Sequence, residues 1–155
     1  MLFYAGADIN ALSRRMATRE WWESERRQFR IIASSITERE LEAGAYAYQE
    51  EALQLVRRLN YVPITQLVRR LAAEFLDGNV VPPNKPGDAA QLAIATAHQI
   101  DYLLTWNYAH LANPATQLRG HQVAAKHQLR MPWLVSPETI PQTSLGQSIR
   151  RLKDE

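Results

Sequence analysis

The 155-residue sequence predicts an α/β domain with a parallel sheet covered by helices on both faces. Three observations carry this reading. Short apolar runs alternate along the chain with stretches of helical periodicity. One helical stretch, DAAQLAIATA from Asp88, is apolar around most of its circumference, as suits a helix buried against a sheet. The segment that follows it, Asp101–Trp106 (DYLLTW), is the strongest strand candidate in the chain.

In chain order, Met1–Ala5 (MLFYA) is short and apolar enough for a strand, punctuated by Gly6. Asp8 to Phe29 reads as helix, with Asp8 as its N-cap and Ile9, Leu12, Met16 and Trp21 as its apolar side. Trp22 points about 100° away from Trp21, so the two do not share one face. Arg30–Ile36 (RIIASSI) is the second strand, and Thr37-Glu38-Arg39-Glu40 forms a capping box for a short helix that stops at Gly44. A further helix covers Gln49 to Leu59, with Ala52, Leu55, Val56 and Leu59 inward. Tyr61–Thr65 (YVPIT) is a strand whose Pro63 confines it to an edge or a very short ladder. Leu67, Leu71 and Phe75 place a helix over Gln66–Leu76, closed by Asp77-Gly78. Val80–Gly87 (VVPPNKPG) is loop, and the buried helix starts near Asp88. Pro114 suits the first turn of a last helix reaching about Leu129, and Trp133–Val135 is a final short strand. Residues 1–140 then form one domain, and 141–155 a polar, loose tail.

Composition narrows the classes. An apolar fraction of 46% and a charged fraction of 22% are those of an ordinary globular domain. There is no cysteine, which excludes disulfides and thiolate metal sites and fits a reducing cytoplasm. No apolar stretch approaches the roughly 18 residues needed to span a bilayer, so no membrane role is expected. The net charge of +2 is a weak pointer to nucleic acid; arginines cluster at 14, 15 and 19, at 26, 27 and 30, and at 150 and 151, where a solvated helix face is the plainer explanation.

Neither a glycine-rich phosphate loop nor a His-Glu-x-x-His or G-x-S-x-G motif is present. His121 and His127 lie six apart on one helix and do not share a face, which argues against a histidine zinc site. The better signal is oxygen-bearing side chains near the carboxyl ends of strands, where ligands bind in open parallel sheets. Glu40 follows the second strand by one turn, Asp88 opens the buried helix, and Asn107 ends the strongest strand. Together they could converge on a hard cation such as Mg²⁺ or Mn²⁺. Each has a structural alternative: Glu40 as the partner of Thr37 in the capping box, Asp88 as a favourable charge at its helix N-terminus, Asn107 as a turn residue.

The run PGDAAQLAIATAHQIDYLLTWNYAHLAN, Pro86 to Asn113, resembles the segment of PIN domains that carries the third acid and the acid or amide after the next strand. SSITERELEAG, Ser34 to Gly44, resembles the segment with the second acid and places that role on Glu40. Pro63-Ile64-Thr65 and Val135-Ser136-Pro137-Glu138 match in order and spacing, so the likeness covers about Thr18 to Ile140. It implies a PIN-like three-layer fold with a sheet of about four to five strands, and the activity of a VapC-type toxin: a metal-dependent endoribonuclease of the cytoplasm, using Mg²⁺ or Mn²⁺ on RNA. It also implies a small antitoxin as partner and self-association, for which Trp21, Trp22 and Tyr46 would be partly exposed contacts. Glu40 and Asp88 would be metal ligands, with Asn107 orienting a water or ligating through its amide oxygen, and Thr105 and His110 near the substrate phosphate.

The resemblance fails at the first acid. The family's first strand ends in an acid followed by Thr or Ser, whereas this chain has Ala5, Gly6 and Ala7 there, and Asp8 three residues on. Aligned instead through Thr18-Arg19-Glu20-Trp21-Trp22, Asp8 falls in the first helix and the true first strand is absent. Either way the acid is missing unless Asp8 replaces it. An impaired nuclease is then expected, or a non-catalytic relative that binds nucleic acid or an antitoxin.

Overall fold

The computed structural model describes residues 9–45, 48–106 and 113–141. The expected first strand, Met1–Ala5, lies outside them, as do Asp8, Tyr46, Asn107 and His110. Among the described residues the order is α1 (Ile9–Ser24), a 3-10 turn (Arg26–Gln28), β1 (Ile32–Ala33), α2 (Ser35–Ala43), α3 (Gln49–Val56) and β2 (Asn60–Tyr61). Then come α4 (Gln66–Asp77), α5 (Pro86–Ala97), β3 (Tyr102–Leu104), α6 (Pro114–Lys126) and β4 (Trp133–Val135). Among the described residues strands alternate with helices and both strand pairs are parallel, so the α/β class stands.

The sheet is smaller than expected. Instead of one ladder of four to five strands, the described residues form two two-stranded ladders, β1 with β2 and β3 with β4. Local chemistry shortens the first pair. Ser34 caps α2, its Oγ accepting the Thr37 N–H at 3.4 Å, so the chain leaves β1 after Ala33. On the partner strand, the Val62 N–H still reaches the Ala33 carbonyl at 3.1 Å, but Pro63 has no N–H to continue. The helix predicted to begin at the Thr37 capping box therefore starts a turn earlier, and Ile36 is helical rather than strand. Its stop at Gly44 is as read.

The main core lies between α4 and α5, where Leu71, Phe75 and Leu92 are fully buried, with Val123 and Ala124 of α6 against them. Burial of each such large side chain contributes roughly 1.5–3 kcal/mol. A smaller core joins Ala33, Leu41, Ala52, Leu53 and Val56 between β1, α2 and α3, with Leu53 in the place expected for Leu55. The helices α4, α5 and α6 end alike. Asn79, Gln99 and Gln128 take left-handed backbone, and the next amide bonds back to Phe75, Ala95 and Ala124. Gly78 caps α4, as the sequence suggests, and the left-handed residue after it is Asn79.

The apolar side expected of α1 is also corrected. Leu12 and Met16 are 50% and 64% exposed, whereas Ala11, Thr18 and Trp21 are buried. The inward stripe is set by what α1 meets: Trp21 stacks near Phe29 at 5.9 Å, and Phe29 meets Tyr102 of β3 edge-on at 6.1 Å. Trp21 is therefore not an exposed contact; Trp22 is half-buried under the Arg26 guanidinium. The most exposed tryptophan is Trp133 on β4.

Candidate active site

Helix α2 lies between the two cores. Leu41 enters the smaller one, and Ile36 packs against the α4–α5 core. Glu40 follows Ile36 by four residues, so the two share a stripe of the helix, and Glu40 is carried toward α5. It is half-buried there. The Gln91 side-chain amide donates to Glu40 Oε2. A β-carbon at Gly87 would stand 2.7 Å from Glu40 Oε1, so glycine is what lets the first turn of α5 approach this closely.

Asp88, next in the chain and half-buried, lies in that same first turn. Asp88 and Gln91 are three apart and share a helix face. Burial, and then the negative charge of Asp88, push the Glu40 carboxyl above the usual carboxylate range, while the Gln91 amide offsets part of the rise. The structure thus brings Glu40 and the start of α5 together. The capping alternative for Glu40 is overturned, because Ser34 caps α2 and Glu40 sits beyond its first turn. Helix α5 begins at Pro86 rather than Asp88, with Pro86 in the N-terminal turn.

A half-buried Glu40 carboxyl beside the carboxylate of Asp88 offers oxygen donors of the kind that suit a hard divalent cation. Among the described residues no group of three His, Asp or Glu stands together as metal ligands. Asn107 and Asp8, the other expected members, lie outside the described residues, as does His110. The approach to Asn107 is described. The Thr105 N–H donates to the Val135 carbonyl at 2.8 Å, extending the β3–β4 pairing by one bond. The Trp106 indole N–H donates to Thr18 Oγ1 at 2.9 Å, the Thr18 hydroxyl donates to the Arg14 carbonyl at 2.7 Å, and the Arg14 guanidinium lies 5.6 Å from the Trp106 ring centre. These contacts fasten α1 to the end of β3.

The opposite side of α2 is an ion-pair network. Arg57 Nε donates to Glu38 Oε1 at 2.6 Å and Arg57 Nη2 to Glu42 Oε1 at 3.0 Å, and the Tyr61 hydroxyl donates to Glu38 Oε2 at 3.0 Å. The bonds from Arg57 and then Tyr61 hold the Glu38 carboxyl below the usual range. Sequence reading missed Gln91 and Gly87 as neighbours of Glu40. The available signal was their position flanking Asp88 on one helical turn.

Parallel strands, covering helices and a pair of opposed carboxylates place the chain among α/β domains with an acidic site. A PIN domain model matches residues 7–112, and the chain belongs to that family. The matched span takes in Asp8, Glu40, Asp88 and Asn107. PIN domains are generally divalent-metal-dependent nucleases acting on RNA or DNA. No curated protein and no solved structure matches the chain significantly. No helix among the described residues is long and apolar enough to cross a membrane.

Proposed function

We propose that this chain is a metal-dependent ribonuclease of the VapC toxin type, working slowly because its first acid is displaced. The carrying observation is the Glu40 carboxylate, held against the first turn of α5 with its ionisation opposed by Asp88. Glu40 and Asp88 would hold Mg²⁺ or Mn²⁺, with Asp8 as the substitute third anion and Asn107 beside them. Such a cation acidifies a nucleophilic water and offsets charge on the phosphoryl oxygens. The chain's own part is to fix the two carboxylates: Gln91 orients Glu40, and Gly87 leaves room for it. The toxin assignment, with a small antitoxin as partner and a homo-oligomeric state, rests on the segments Ser34–Gly44 and Pro86–Asn113. The exposed Leu12, Met16 and Trp133 offer apolar surface for such contacts.

The test is RNA cleavage with Mn²⁺, comparing the parent with Asp88→Ala and Asp8→Ala. Slow cleavage lost in both variants is expected. Fast cleavage abolished by Asp88→Ala and untouched by Asp8→Ala would show that the third anion is not needed. No cleavage by the parent would favour the non-catalytic reading, a PIN-like protein that binds nucleic acid or antitoxin.

A further inference from the structure

A cleft of about 720 Å³ opens between the first turn of α2 and the chain leaving β2. It is lined by the apolar Ile36, Val62, Pro63 and Ile64 and by Arg39 and Arg69. Both arginines are exposed, and among the described residues no carboxylate pairs with either. Arg57, by contrast, is fully engaged by Glu38 and Glu42. Tyr61 also lines the cleft, 39% exposed, with its hydroxyl tied to Glu38. That bond holds the ring against α2, and Arg57 offsets part of the charge of Glu38 and Glu42, so Arg39 and Arg69 are the cleft's unpaired cations among the described residues.

We propose that this cleft binds the single-stranded flank of an RNA substrate, Arg39 and Arg69 meeting phosphates and Tyr61 stacking on a base. The proposal rests on the ribonuclease reading and assigns it a substrate path. An apolar lining, an aromatic ring with a bonded hydroxyl and two cations match a strand that alternates flat bases with phosphates. Ser35 also lines the cleft and brings a hydroxyl able to meet a ribose 2′-OH. The cleft adjoins α2, the helix that carries Glu40, through Ser35, Ile36 and Arg39.

The experiment is fluorescence anisotropy of a labelled twelve-residue oligouridylate with the full chain in EDTA, so that no metal-dependent cleavage intervenes. The double variant Arg39→Gln/Arg69→Gln is expected to bind roughly tenfold or more weakly, and its salt slope to fall by about 1.4, as loss of two single-strand phosphate contacts requires. Tyr61→Leu should weaken binding by at least about fivefold. A charge-matched control, Lys126→Gln/Arg130→Gln, should bind as the parent does. If the double variant melts early, Arg69→Gln alone gives the same reading from one exposed position. Parental affinity in the double variant, an equal loss in the control, equal binding of the deoxy oligomer, or tighter binding of a polyglutamate peptide would each overturn the proposal. The two readings separate cleanly. Arginine-dependent RNA binding without any Mn²⁺ cleavage would sink the nuclease and keep the cleft, whereas cleavage with arginine-independent binding would sink the cleft alone.

Discussion

Glu38 and Glu40 stand two residues apart on α2 and face nearly opposite ways. Glu38 meets a guanidinium and a phenol, and its carboxyl is held below the usual range. Glu40 meets a neighbouring acid, an amide and the backbone of α5, and its carboxyl is raised. The first glutamate has its counter-charge inside the chain. The second has a neighbouring acid instead, and no cation pairs with it among the described residues. Residue type and helix position are shared, so surroundings alone separate a structural acid from a candidate ligand.

The sharpest way to break this contrast is to neutralise each side. Glu40→Gln should lower Mn²⁺-dependent RNA cleavage by roughly 100-fold, the scale expected when a reacting group loses its placement. Glu38→Gln should cost far less; similar losses from both, in the same initial-rate assay, would mean that the two faces are not distinct. Next in size is Gly87→Ala. Its new β-carbon would displace Glu40 Oε1, a mobile atom, so the fold survives with its stability kept while cleavage falls about tenfold. Denaturant titration and rate together would show that split, and a parallel fall in both would refute it.

Titration sharpens the comparison further. The folded pKa of Glu40 lies above its unfolded value, so the associated stability is present below the ordinary carboxylate value and lost as pH rises through the raised one. Glu38 behaves in the opposite sense: its contribution is present above the ordinary value and lost as pH falls through the lowered one. Urea denaturation in EDTA from acid to neutral pH should show Glu40→Gln removing the first dependence and Glu38→Gln the second. The smallest effect is expected from Arg57→Ala, a slightly lower melting temperature, since exposed ion pairs contribute little.

Much of the fold is legible in the sequence because it depends on local pattern. The Trp133–Val135 strand and the start of α4 at Gln66 fall where they were read, and the α5 helix only two residues earlier than expected. Part of what was misread depended on distant partners. Nothing near Leu12 or Met16 announces that α1 turns Ala11, Thr18 and Trp21 inward toward Phe29 and Trp106. Strand lengths were overestimated because a serine cap and a proline end β1 and β2 after two residues each. For the site, Glu40 and Asp88 were singled out by strand-end position and by family resemblance. The bond from Gln91 to Glu40 joins residues 51 apart, a contact that local pattern does not encode.

The clasp between α1 and β3 has an optical consequence. Trp106 immediately precedes Asn107, and its indole is both hydrogen-bonded and overlain by a cation. The Trp21 indole N–H, by contrast, is buried without a partner among the described residues. Charge and hydrogen bonding shift indole emission, so the two rings report different surroundings. With Trp21, Trp22 and Trp133 changed to phenylalanine, the emission of Trp106 becomes a gauge of events at the end of β3. Mn²⁺, a paramagnetic quencher, would dim that light as it arrived.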